Sequence, residues 1–229
     1  MTILALDTSG PVCSVAVMRE GVLLYEARVI NKLTHSINLM PMVEDALQKS
    51  GCERKDLTHI AAVIGPGSFT GVRIGVAVAQ GLARGLGISC MPVNALEAMA
   101  KAIFIKDTLV CPIRDARAGQ VYGATFLNGK RVMDDCALKL DAYLQQLAKY
   151  KETPMFLGDG VPILKEKIIA ALGEKAVFAG PSLLQPGAAF ALELAMDKAD
   201  DAVQPEQLMP LYLRAPQAER QRMEQSDAR

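Results

Sequence analysis

Short apolar runs bounded by turn residues alternate along this chain with longer stretches of helical period. Thr2 to Leu6 reads as a strand that stops at Asp7-Thr8-Ser9-Gly10-Pro11. Val12 to Met18 alternates, and Val22 to Ile30 follows the polar turn Arg19-Glu20-Gly21, so the chain opens with a predicted three-stranded meander. From His35 to Ser50, Leu39, Val43, Ala46 and Leu47 recur at helical spacing, and Gly51 suits a left-handed C-terminal cap. Pro41 fits there only near the helix start or at a bend. Met40 and Met42 broaden the apolar face, and such adaptable side chains suit either core packing or a partner surface.

The stretch from 60 to 87 organises the rest. Ile60 to Ile64 is a short, partly β-branched run that breaks into Gly65-Pro66-Gly67-Ser68-Phe69-Thr70-Gly71 and then opens a long helical pattern. A buried strand, a sharp turn and a helix are written there, with Ser68 or Thr70 placed to cap the free amides. Within the helix, Gly71, Gly75, Ala79, Ala83 and Gly87 recur at every fourth position and form one bare strip. Val72, Ile74, Val76, Val78, Leu82 and Leu86 cover most of the remaining circumference, a distribution that predicts burial on more than one side. The strip fits a core helix crossing its own sheet. The sharper reading is that one side meets the fold and the other meets a second chain, near ~8 Å between axes.

Beyond it, Ile88 to Val93 reads as a strand and Asn94 to Ile105 as a helix capped by Asn94. Leu109 to Arg114, Gln120 to Leu127 and Arg131 to Leu138 then read as a second meander, its last turn marked by Asn128-Gly129. A repeated meander suggests internal duplication. Leu140 to Lys149 and Ile163 to Leu172 are helical, Met155 to Leu157 and the region of Val177 are short strands, and a last helix spans about 188 to 198. Leu208 to Leu213 is an ordered segment, and 215 to 229 is a polar tail.

The 229 residues are 51% hydrophobic, and Lys plus Arg equal Asp plus Glu at 25 each, so nothing in the bulk charge attracts a polyanion. Five scattered cysteines without CxxC spacing oppose a disulfide framework or a zinc site and fit a reducing, cytoplasmic setting. No signal peptide or membrane span is expected. Asp7, Thr8 and Ser9 at the first reversal offer a carboxylate and hydroxyls that suit a phosphate, hydrated Mg²⁺, or simply a turn. Gly158-Asp159-Gly160 is a second such turn. Asp115 and Arg117, between strands of the second meander, suit an interdomain salt bridge.

Four segments together resemble the bacterial TsaB family, also called YeaZ. They are the Asp7-Thr8-Ser9 hairpin, Gly65 to Gly75, Asp115-Ala116-Arg117, and Leu211-Tyr212-Leu213-Arg214. The resemblance spans essentially the whole chain, and Gly-Pro-Gly-Ser-Phe-Thr-Gly-Val-Arg-Ile-Gly carries most of its specificity. It implies an α/β fold of the duplicated actin-like, sugar-kinase and Hsp70 (ASKHA) type. Two βββαβα-like domains are then expected at 1–106 and 107–214, the second reduced, with a polar tail at 215–229. It implies a non-catalytic scaffold for threonylcarbamoylation of the adenosine next to the tRNA anticodon. Such a subunit pairs with the catalytic paralogue TsaD or with itself, recruits the ATPase TsaE, and meets tRNA only through the complex.

Where the catalytic relative carries a segment resembling Asn-His-Leu-Glu-Gly-His, this chain reads Asn94-Ala95-Leu96-Glu97-Ala98-Met99, so both imidazole ligands are missing. No catalytic or metal-ligating residue is therefore assigned. The expected partner interface is Leu39, Met40, Val43, Leu47, Gly71, Val72, Gly75, Val76, Ala79 and Ala83. Residual nucleotide contacts would fall on Asp7, Thr8, Ser9, Gly158, Asp159 and Gly160, with no tightly bound cofactor and only weak ATP or ADP with Mg at a complex interface. The alternative is an ATPase or kinase-like enzyme of the same fold. A metallopeptidase is opposed by the absence of His-Glu-x-x-His or a Gly-x-Ser-x-Gly elbow.

Overall fold

The computed structural model describes residues 1–31 and 33–214. The first half runs β1 (Thr2–Asp7), β2 (Cys13–Arg19), β3 (Val22–Val29), α1 (His35–Ser50), β4 (His59–Gly65), α2 (Phe69–Leu86), β5 (Ser89–Asn94) and α3 (Ala95–Lys101). Its sheet has the order β3-β2-β1-β4-β5, with the meander antiparallel and β1, β4 and β5 parallel. The second half repeats the plan through β6 (Thr108–Asp115), β7 (Gln120–Leu127), β8 (Lys130–Lys139), α4 (Leu140–Leu147), β9 (Thr153–Leu157), α5 (Val161–Leu172) and β10 (Val177–Phe178). Its sheet order, β10-β9-β6-β7-β8, is the same sequence of roles counted from the opposite edge. The duplication that the second meander suggested is therefore present, and the second copy is reduced, since β10 has two residues and the helix after it, α6 (Pro181–Leu184), has four.

The turn chemistry matches the expectation at the punctuating residues. Gly51 and Gly87 close α1 and α2 in the left-handed region, at φ 65° and 66°. Asn128 and Gly129 both have positive φ, as a two-residue hairpin between right-twisted strands requires. Asn94 caps α3 by accepting from the amides of Leu96 and Glu97. α3 stops at Lys101, one turn short of the periodic run to Ile105, where Phe104 is exposed.

One face of the first sheet packs on α1 and α2 through Leu4, Leu6, Val15 and Val17; the other packs Ile3, Ala5 and Ala16 against α3 and α7 (Ala188–Asp197). The expected division at residue 107 is corrected by that last helix. α7 lies beyond α6 in sequence but covers the first sheet, because Ala188, Ala191 and Leu192 complete the apolar face that β1 and β2 leave open. Residues 203–214 also return to the first half: Val203 bridges to Cys90, and the Leu211 amide donates to the Ile64 carbonyl at 2.8 Å. The expected tail, 215–229, lies outside the described residues.

Candidate functional site

Two surfaces come into question, the helix pair α1 and α2 and the cleft between the halves. On α2 the bare strip faces inward. Gly71, Gly75, Ala79 and Ala83 are buried against the chain's own sheet. A Cβ at Gly71 would stand 2.1 Å from the Thr8 carbonyl oxygen, and one at Gly75 would stand 2.5 Å from the Thr8 hydroxyl. The Thr8 hydroxyl donates to the Gly71 carbonyl at 2.7 Å, which seats the β1–β2 turn on the helix. The expected interface set is corrected accordingly. Leu39, Val43, Leu47, Gly71, Val72, Gly75, Val76, Ala79 and Ala83 are core residues of this chain, and only Met40 of that set is on the surface, at 38% exposure. A four-residue period of small side chains records that something approaches closely; at Gly71 and Gly75 the something is Thr8, in the turn that follows β1.

A second strip lies across the same helix. Gly81 is two positions, about 200° of helix rotation, from the buried Ala79. Ala77, Gly81 and Gly85 are exposed, and a Cβ on either glycine would meet nothing within 4 Å. Beside them are the half-buried Ile74, Val78, Leu82 and Leu86 of α2, and the exposed Ile37 and Met40 of α1. Met40, Val43, Leu47, Gly81, Leu82 and Gly85 line a groove of about 260 Å³ between the two helices. Apolar patches of this kind on a surface otherwise rich in charge mark places where another molecule sits.

The cleft has a volume of about 480 Å³ and is lined from both halves, by Ser9, Ser68 and Phe69 on one side and Arg117, Tyr122 and Asp159 on the other. Ser68 caps α2 by accepting from the Gly71 amide at 3.2 Å, and the Ser68 amide donates to the Ser9 carbonyl at 2.7 Å. The residues expected to retain nucleotide contacts are already engaged within the chain. Asp7 accepts from the Ser9 amide at 2.9 Å and the Ser9 hydroxyl at 2.5 Å, while Gly158 and Gly160 donate to the carbonyls of Leu183 and Ile113. Asp7, Thr8 and Ser9 are buried, and Asp159 binds Arg114 at 2.8 Å. Asp115 and Arg117 pair within their own turn at 3.8 Å, with the Arg117 side chain 86% exposed, so the expected interdomain bridge does not form there.

Arg114, the residue sequence reasoning passed over, fills the floor of the cleft instead. Its signal was a charged residue closing the otherwise apolar run Leu109 to Ile113. At the mouth, the segment 211–214 forms a strap. Tyr212 stacks on Phe69 at 4.8 Å and accepts from Arg73 Nε at 2.8 Å, and Arg214 donates to the Ala116 carbonyl at 2.9 Å.

Ala95 and Met99 lie in apolar surroundings. Ala95 faces the first sheet, and Met99 packs with Leu96, Val110, Phe126 and Leu157 against the second. Neither offers an imidazole, and among the described residues no group of three or more His, Cys, Asp or Glu is gathered as a metal site. His35 bonds the Gly10 carbonyl at 2.8 Å and His59 the Thr58 hydroxyl at 3.0 Å, far apart in structure and in role.

A family model described as TsaD, tRNA N6-adenosine threonylcarbamoyltransferase, matches residues 30–221. The tRNA threonylcarbamoyladenosine biosynthesis protein TsaB of Bacillus subtilis is 36% identical over 224 residues, 96% of each chain. The chain belongs to the TsaB (YeaZ) family. A Pseudomonas aeruginosa crystal structure, of a protein described as having similarity to peptidase YeaZ, superposes with a TM-score of 0.80 at 30% identity, covering 93% of this chain and 99% of that one. Component A of (R)-2-hydroxyglutaryl-CoA dehydratase from Acidaminococcus fermentans shares the fold alone, with a TM-score of 0.51 at 14% identity over 87% of this chain and 99% of that one. The family's fold is the duplicated actin-like one, in agreement with the two sheets described above. No helix among the described residues is long and apolar enough to cross a membrane.

Proposed function

We propose that this chain is a non-catalytic subunit in the synthesis of threonylcarbamoyladenosine in tRNA. In this reading it pairs with a TsaD-type catalytic paralogue, or with a second copy of itself, across the outer face of α1 and α2. The pair recruits a TsaE-type ATPase, works in the cytoplasm, and brings tRNA to the catalytic partner rather than to this chain.

The observation that carries the reading is the outer strip of Ala77, Gly81 and Gly85, open above both glycines and flanked by Ile74, Val78 and Met40. Glycine costs roughly 1 kcal/mol per helical position relative to Ala, and an exposed pair with no neighbour in its own chain gains nothing from its small size. A foreign backbone laid along that strip would use it. The name of the Bacillus subtilis relative supports the pathway, and Ala95 and Met99 in place of imidazoles support a non-catalytic role.

The test is sedimentation of the chain alone and mixed with a TsaD-type protein, with Gly81→Arg beside the natural sequence. Loss of association with an unchanged circular dichroism spectrum is expected, and an intact complex would remove the proposed face. A pull-down of the TsaE-type ATPase with and without nucleotide tests recruitment. The cleft of about 480 Å³ favours a second reading, an ATP-using enzyme. Calorimetric titration of the isolated chain with Mg-ATP discriminates, because tight binding would favour the enzyme.

A further inference from the structure

Arg114 is 4% exposed, at the end of β6. A buried guanidinium is costly unless its donors are met and opposite charge is close. Here Nε and one terminal nitrogen have acceptors and carboxylates stand close by, and those groups come from both halves of the molecule. Nε donates to Asp159 Oδ1 at 2.8 Å, within the second half. One terminal nitrogen crosses to the first half, where it donates to the Ser9 hydroxyl at 2.5 Å and the Pro66 carbonyl at 3.3 Å. The Ser9 hydroxyl in turn donates a hydrogen bond to Asp7 Oδ1, so a second carboxylate stands behind it. The backbone is shaped around the same group. A Cβ at Gly10 would stand 1.9 Å from the other terminal nitrogen, and one at Gly67 would stand 3.1 Å from the first.

We propose that the floor of the cleft is a cation site whose occupant is built into the chain. The Arg114 guanidinium reaches from the second half into a receptor made by Ser9, Pro66 and, through Ser9, Asp7, and latches the two halves at one angle. The width of the cleft is then set by a tethered group and not by a ligand that dissociates. Arg131 to Glu97, another ion pair between the halves at 3.2 Å, is about a quarter exposed on each side and more open to screening than Arg114. The inference does not depend on the identity of the partner, and its test uses the chain alone.

Arg114→Ala leaves a space matched to a free guanidinium ion. The full chain carrying it should melt at a lower temperature and recover part of the loss in about 20 mM guanidinium chloride, far below denaturing concentrations. Equal NaCl should restore nothing. A variant that melts like the natural chain, or whose loss guanidinium fails to restore any better than NaCl, overturns the latch. If Arg114→Ala does not fold in either salt, Ser9→Ala decides, since it removes the hydroxyl that accepts from Arg114 and donates to Asp7 and leaves both charges in place. Hydrogen exchange over 65–70 and 113–118 should then rise about tenfold, the factor expected for one charged hydrogen bond, with α1 unchanged. Unaltered exchange in those segments overturns the proposal.

Discussion

Gly75 on α2 lies over Thr8, the residue that follows β1, so close that a Cβ would stand 2.5 Å from the Thr8 hydroxyl. That hydroxyl is held by the Gly71 carbonyl and cannot turn away without losing a buried hydrogen bond. Gly75→Leu is therefore expected to destabilise the isolated chain by about 3 kcal/mol or more, through overpacking at the β1–α2 contact. Urea unfolding measures it. A midpoint equal to that of the natural chain would show that the helix can lift from the strand.

The outer glycines predict the opposite sign. Gly81→Ala and Gly85→Ala should each stabilise the isolated chain by about 0.5 to 1 kcal/mol, from helix propensity and a less disordered unfolded state. No atom lies within 4 Å of either added Cβ, so no steric term opposes the gain. A fall in the urea midpoint would mean that the face is not open.

Asp45 on α1 accepts from the Tyr25 hydroxyl at 2.5 Å and pairs with Lys49 at 3.0 Å. The Tyr25 hydrogen bond, then Lys49, lowers the Asp45 pKa from its usual value of 3.8. A carboxylate whose folded pKa is depressed contributes above its unfolded pKa and loses that contribution as pH falls through the folded one. Tyr25→Phe should move the Asp45 titration midpoint up, read by carboxyl NMR, and so make the α1–β3 contact less dependent on acidic pH. An unmoved midpoint would assign the shift to Lys49 alone.

Burial raises the Cys13 and Cys90 thiols to about 11 and the Cys111 thiol to about 12. The thiolate is the reactive form, so at pH 8 these cysteines should resist an aromatic disulfide reagent in the folded chain and react on unfolding in urea. Mass spectrometry of the labelled native chain checks it. Label on Cys111 before unfolding would show that the second sheet opens.

The local code of this chain is legible in its sequence wherever a residue's own backbone or side chain decides the matter. Gly51, Ser68, Asn94 and Asn128-Gly129 punctuate as their chemistry requires, and the repeated meander revealed the duplication. Period and capping are properties of a dozen neighbouring residues, and they survive in the sequence alone. The direction a helix faces is different, because Gly75 and Gly81 are the same residue on opposite sides of α2 and only the position of β1 distinguishes them. The same holds for Arg114, which meets Ser9 across 105 residues, and for α7, which passes the second half to cover the first sheet. Those pairings depend on which surfaces the folded halves bring together. Spacing along the chain carries no term for that, and the tertiary structure supplies it.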